Sequence, residues 1–149
     1  MFSFASRQVM VVMEMANRTA YVFSQTTIGV EHVLAGILSD EAAGPEQLIL
    51  NELGLNWRRL NEYFEVTYSP LINLDDPGNP SLPCHKQTRA LIERALGYAH
   101  TTFERDQIEV SDLLLAMLQP GNKGEELLTR FGLKYQEVRE RLRVLRNRK

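Results

Sequence analysis

The sequence predicts an all-α fold: eight helices, arranged as a tandem repeat of two four-helix units related by an approximate twofold axis. Three observations carry that expectation. Apolar residues recur at helical spacing along most of the chain. No segment alternates cleanly over several residues, so a β-sheet finds no support. The second half also repeats the first, as an overlay of three segments in the same order shows.

In repeat 1, a helix is expected within residues 4–23, with Val9, Val12, Met13, Ala16 and Ala20 on one face. Ser6 stands just before that pattern, where its hydroxyl can accept a bond from an orphan amide. The chain turns around Thr27–Gly29, and Val30–Leu38 reads as a short, strongly apolar second helix. Pro45 suits the first position of a third helix, with Glu46 in its first turn. That helix runs through Leu48, Ile49 and Leu53 and stops at Gly54. Asn56 can cap a fourth helix, from Trp57 to near Val66, with Leu60, Tyr63 and Phe64 inward.

Residues 67–83, TYSPLINLDDPGNPSLP, hold four prolines, Gly78 and the Asp75–Asp76 pair, which exclude regular structure over most of the stretch. This is the expected linker. It separates repeat 1, residues 4–66, from repeat 2, residues 84–149, within one domain spanning 1–149. In repeat 2, Leu91, Ile92, Ala95 and Ala99 fall where Val12, Met13, Ala16 and Ala20 fell. IEVSDLLLAML, from Ile108, lies over IGVEHVLAGIL, from Ile28. LLTRFGLKYQEVRERL, residues 127–142, lies over ILNELGLNWRRLNEYF, residues 49–64. The register needs one inserted residue before Ile108 and two deleted before Leu127. Each unit is small enough that the two are expected to share a buried interface.

Composition narrows the function. A net charge of −2 does not describe a nucleic-acid binder as a whole. The one cysteine, Cys84, rules out an intramolecular disulfide and fits a reducing compartment. No apolar run approaches the ~18 residues of a membrane span. The start, MFSFASRQVMVVMEM, is broken by Arg7 and Glu14 and has no small-residue cleavage site after it, so a signal peptide is not indicated. A cytosolic protein is expected.

The motif Ile28-Gly29-x-Glu31-His32-x-Leu34-x-Gly36, with an amphipathic helix before it and Leu53-Gly54-Leu55 after it, resembles the N-terminal domain of Clp AAA+ unfoldases, ClpC-type above all. The resemblance covers both repeats and the linker. Repeat 2 departs from it: Glu109, Ser111 and Asp112 stand where ClpC-type proteins carry glycine, glutamate and histidine. No G-x-x-x-x-G-K-[ST] occurs in the chain, so it lacks the phosphate loop of the unfolding ATPase. The chain then reads as the front end of a longer unfoldase or as a free-standing protein. The RVLRNRK tail and the drift of repeat 2 favour the latter.

Several residues invite chemical readings. Glu31 suits a helix's first turn by charge alone, and His32 among apolar neighbours suits a packed histidine bonded to backbone. Catalysis would need a nucleophile and an orienting group, yet repeat 2 replaces both residues and keeps the helix. A metal would need more ligands than His85, His100 and Cys84 add, at spacings the chain lacks. The resemblance implies instead that Ser6 and Glu31 bind a phosphorylated arginine or a basic peptide. A carboxylate forks onto a guanidinium, and a helix N-terminus with a hydroxyl holds a phosphate. Repeat 2 puts His85 and Ser111 at those positions; Asp112 is displaced by about 100° around the helix.

The resemblance also implies docking of substrates or adaptors on apolar patches, to which Phe2, Phe4, Tyr63, Phe64, Tyr68 and Leu71 can contribute. The N-terminal aromatics and the linker's Tyr68 and Leu71 can instead simply cover helix ends. In the C-terminal run, Arg139, Arg141, Arg143, Arg146, Arg148 and Lys149 outweigh Glu137 and Glu140. That run suits a solvated helix face with Val138, Leu142 and Leu145 inward, or a surface for an acidic partner or nucleic-acid phosphates. Cys84, beside His85 and just before a helix, can have a lowered pKa. The expectation is a protein-recognition module, with no reaction and no cofactor, working with a Clp unfoldase and its protease partner. The alternatives are a structural subunit of a Clp complex and a nucleic-acid-binding helical protein.

Overall fold

The computed structural model describes residues 5–68, 81–102, 107–119 and 121–147. Repeat 1 folds into α1 (Arg7–Val22), α2 (Val30–Leu38), α3 (Pro45–Glu52) and α4 (Trp57–Thr67). Repeat 2 folds into α5 (Lys86–Gly97), α6 (Val110–Met117), α7 (Lys123–Arg130) and α8 (Tyr135–Asn147). Among the described residues there is no strand, only two isolated bridges. No helix there is long and apolar enough to cross a membrane.

Local chemistry sets the ends. Ser6 Oγ accepts the Val9 N–H at 3.2 Å and Asn56 Oδ1 accepts the Arg59 N–H at 2.9 Å, so both caps form where the sequence places them. Gly54 and Gly132 both take positive φ, +107° and +83°, a conformation that disfavours a side chain. Beyond each glycine, Leu55 N–H reaches Leu50 O and Leu133 N–H reaches Leu128 O, both at 2.9 Å. The two third helices therefore end in the same hydrogen-bonded turn.

The two breaks in register have physical sites. A π-turn, Tyr98–Thr102, follows α5 and widens the helix in the region where repeat 2 carries its extra residue. A 3₁₀ turn, Asp40–Ala42, lies between α2 and α3, where repeat 1 is longer by two.

One apolar core runs through both repeats. Its centre is α2 and α6, in which only Glu31 and Leu115 are not buried. A helix apolar on nearly every side needs neighbours on nearly every side. Accordingly α1 packs on α2 more extensively than any other pair, and α5 on α6 comes next. At Gly36 the approach is so close that a Cβ would overlap the Val12 carbonyl oxygen. Repeat 2 has Ala116 at the corresponding place.

The repeats are joined reciprocally. Ala5 bridges Ile108 and Ile28 bridges Cys84, both in parallel sense. Ser6 N–H donates to Ile108 O, and His85 N–H donates to Ile28 O, each at 2.9 Å. The segment entering the first helix of each repeat thus pairs with the segment entering the second helix of the other. This exchange is the approximate twofold relation, expressed in hydrogen bonds.

Some expectations change. Leu48, placed with the apolar pattern of α3, faces water at 61% exposure, while Ile49 and Leu50 are buried. Tyr63 is half-buried rather than central; its ring meets Phe131 edge-on at 6.0 Å, with the Arg130 guanidinium over it. Phe2, Phe4, Leu71 and positions 69–80 of the linker lie outside the described residues, as do Arg148 and Lys149.

Candidate functional site

The entrance to α2 gathers Glu31, His32 and Tyr68. With Gly29 as N-cap, His32 is the third helical residue, and its Nδ1 accepts the Gly29 N–H at 2.8 Å. The imidazole is 2% exposed and packs against the rings of Phe64 and Tyr68, with centroids 5.7 and 6.0 Å away. Among the described residues its Nε2 finds no hydrogen-bond partner. Burial lowers its pKa below the ordinary 6.5, and the Glu31 charge opposes that shift. His32 is therefore a neutral packing and capping group, bonded to backbone.

Glu31 is half-exposed on the same turn. Tyr68 Oη donates to its Oε2 at 2.5 Å. Burial first, then that bond, raise the Tyr68 pKa far above the usual phenol. The carboxylate folds back over Gly29, where a Cβ would overlap Oε1. The result is a carboxylate fixed at the positive end of a helix, with its position dependent on a bare glycine.

Ser6 is tethered to a different entrance. Its backbone is tied to Ile108, at the entrance to α6, whereas the Glu31 segment is tied through Ile28 to Cys84, at the entrance to α5. Among the described residues no hydrogen bond joins Ser6 to Glu31. Each faces an entrance of the other repeat. His85, at the position matching Ser6, accepts the Gln87 N–H on Nδ1 at 3.0 Å. At the α6 entrance Asp112 is fully buried, and its Oδ2 accepts the Glu109 N–H at 2.8 Å. Asp112 thus occupies the place of His32, not that of Glu31.

Between α1 and α5 lies a mostly apolar groove of about 550 Å³ that the sequence did not reveal. Met10 and Met13 of α1 face Ile92 of α5 across it, with Ile28, Leu82 and Pro83 closing one side. Glu14, Arg89 and Glu93 charge its rim. Met13 matches Ile92 and Glu14 matches Glu93 in the overlay, so the groove straddles the twofold relation. Met10 is 47% exposed, and helical periodicity gave it no partner. Leu82 N–H is anchored to Asn17 Oδ1 at 2.7 Å, which fixes the chain leaving the linker along this groove.

Cys84 borders the groove. Burial raises its thiol pKa, and Arg89 only partly offsets that, so the lowered value expected from its place before a helix is not found. Among the described residues, no three His, Cys, Asp or Glu side chains gather to hold a metal. On α8, Val138 and Leu142 are fully buried as expected. Arg141 pairs with Glu52 at 2.8 Å, and Arg143 grips Glu140 through two bonds at 2.8 and 3.1 Å.

The chain is similar to known proteins in one consistent way. The family model of the Clp repeat N-terminal domain matches residues 5–131. The N-terminal domain of the chaperone ClpD from Arabidopsis thaliana superposes with a TM-score of 0.75 at 15% identity, covering 97% of this chain and 98% of that one. The N-domain of ClpV from Vibrio cholerae gives 0.66 at 19% identity, covering 93% and 82%. No curated protein matches in sequence. At such identities the superpositions speak for the fold alone.

Proposed function

The chain belongs to the Clp repeat N-terminal domain family, and from that premise we propose that it recognises proteins, selecting substrates or adaptors for a Clp AAA+ unfoldase and its protease partner. In Clp ATPases this domain is a non-catalytic module that binds substrates and adaptors. The observation that carries the reading is the α1–α5 groove, about 550 Å³ and lined by methionines and aliphatic side chains. Methionine adapts its shape to varied partners, which suits a surface that must accept many unfolded segments. Charged residues at the rim orient a segment without fixing its sequence. The expected setting is the cytosol, where a lone Cys84 faces no oxidising partner.

The test is a titration of a permanently unfolded protein, reduced and alkylated, against the wild type and Met10→Asp. Binding that weakens at least severalfold in the variant supports the reading. Equal binding removes the groove from it.

A finer reading concerns phosphoarginine or a basic peptide at Ser6 and Glu31. What favours it is the Glu31 carboxylate, held at a helix start beside the entrance to α5. A guanidinium can fork onto that carboxylate once Tyr68 yields, and the amides opening α5 can take a phosphate. Ser6 would serve the equivalent entrance to α6. Phosphoarginine titrated against the wild type and Glu31→Ala should bind the wild type alone; indistinguishable curves dispose of this reading.

A further inference from the structure

We propose that the cleft between α3 and α8 is a second docking site, for a basic amphipathic helix of a partner protein. The cleft encloses about 350 Å³ and shares no residue with the α1–α5 groove, so it stands independently of the function proposed above. Leu48 and Val144 line it at 61% and 44% exposure, beside the more buried Ile49 and Leu145. The core does not require the first two: α3 is anchored by Ile49 and Leu50, and α8 by Val138 and Leu142. Two aliphatic side chains are thus presented to water in one concave place.

Charge specifies the occupant. Three carboxylates, Glu52, Glu137 and Glu140, line the cleft against one guanidinium, Arg141. Arg141 is committed to Glu52 at 2.8 Å, and Glu140 holds Arg143. Glu137 makes no ion pair among the described residues. With Arg141 on Glu52 and Arg143 on Glu140, Glu137 is the carboxylate that leaves the cleft net negative among the described side chains. A partner helix with an apolar stripe at i, i+3 or i+4, and i+7, edged by lysine or arginine, answers both features. The volume suits two or three side chains, so about two turns of helix make the contact.

The probe is a fluorescent 14-residue helical peptide of leucine and lysine, with a leucine–glutamate peptide as control. Binding is measured by anisotropy at two salt concentrations. The variants are Leu48→Ser, Glu137→Lys and, in the other groove, Met10→Ser; all three positions are solvent-facing. The leucine–lysine peptide should bind the wild type and Met10→Ser alike, about tenfold more weakly to Leu48→Ser, and with less salt dependence to Glu137→Lys. The glutamate peptide should not bind. Wild-type affinity in Leu48→Ser, or loss in Met10→Ser instead, would overturn the assignment. So would wild-type self-association in sedimentation that Leu48→Ser abolishes, since the cleft would then belong to a second copy.

Discussion

The entrances to α2 and α6 occupy matching places in the two repeats and solve the same backbone problem with different chemistry. Each leaves an N-cap amide that must find an acceptor. In repeat 1 it is the His32 imidazole, and in repeat 2 it is the Asp112 carboxylate, both at 2.8 Å. The acid available to a ligand also differs. Repeat 1 has a bare Gly29 and a carboxylate two residues later; repeat 2 has Glu109 at the glycine position and Ser111 at the glutamate position. Helix initiation constrains the third residue to any good acceptor and leaves the second residue freer to vary. Divergence has therefore altered the polar side chains at each entrance while keeping the fold that presents them.

The contrast is sharpest at the helix crossings. Gly36→Ala, which installs in repeat 1 the residue that repeat 2 carries, drives a Cβ into the Val12 carbonyl and should cost about 3 kcal/mol in urea unfolding. The reverse change, Ala116→Gly, should cost nearer 1 kcal/mol through helix propensity. Equal costs would mean that the two crossings do not differ as described.

His32→Asn comes next. It keeps an acceptor for the Gly29 amide but loses the ring packed on Phe64 and Tyr68, an expected loss of about 2 kcal/mol. It should also change the pH profile. The folded state holds the His32 pKa below 6.5, so the unfolded chain takes up a proton there that the folded chain resists. The neutral ring's contribution is complete above about pH 6.5 and declines as the pH falls below it. Urea midpoints measured between pH 7.5 and 5.5 should fall more steeply for the wild type than for His32→Asn; parallel slopes would contradict a buried neutral imidazole.

Smaller effects concern the carboxylate. Gly29→Ala should displace the Glu31 side chain from Tyr68 and weaken any guanidinium ligand there, while lowering stability by under about 1 kcal/mol, because only a flexible side chain must move. Arg141→Ala should change stability by less than about 0.5 kcal/mol, since its partner Glu52 is a surface group.

Much of this architecture is legible in the sequence because it is local. Ser6 and Asn56 cap as their chemistry dictates, Gly54 ends α3, and the strongly apolar Val30–Leu38 is buried on nearly every side. Duplication then gives the second unit from the first. What escapes is nonlocal. Tyr68 meets Glu31 across 37 residues, and nothing at either position signals the other. The exchange of entrances between repeats ties Ser6 to the α6 entrance and the Glu31 segment to the α5 entrance, although both belong to repeat 1. Leu48 fits the apolar pattern yet faces solvent, because a short helix leaves two faces nearly equal in hydrophobicity and its neighbours choose between them. The α1–α5 groove arises only when matching faces of two repeats meet.

The central claim, that the junction of the repeats is where this protein meets its clients, is tested most directly by amide NMR. An unfolded client peptide titrated into the isotope-labelled protein should shift resonances of Met10, Met13, Ile28 and Ile92 first, with α4 and α7 unchanged. Shifts confined to other faces, or none at millimolar peptide, would contradict it.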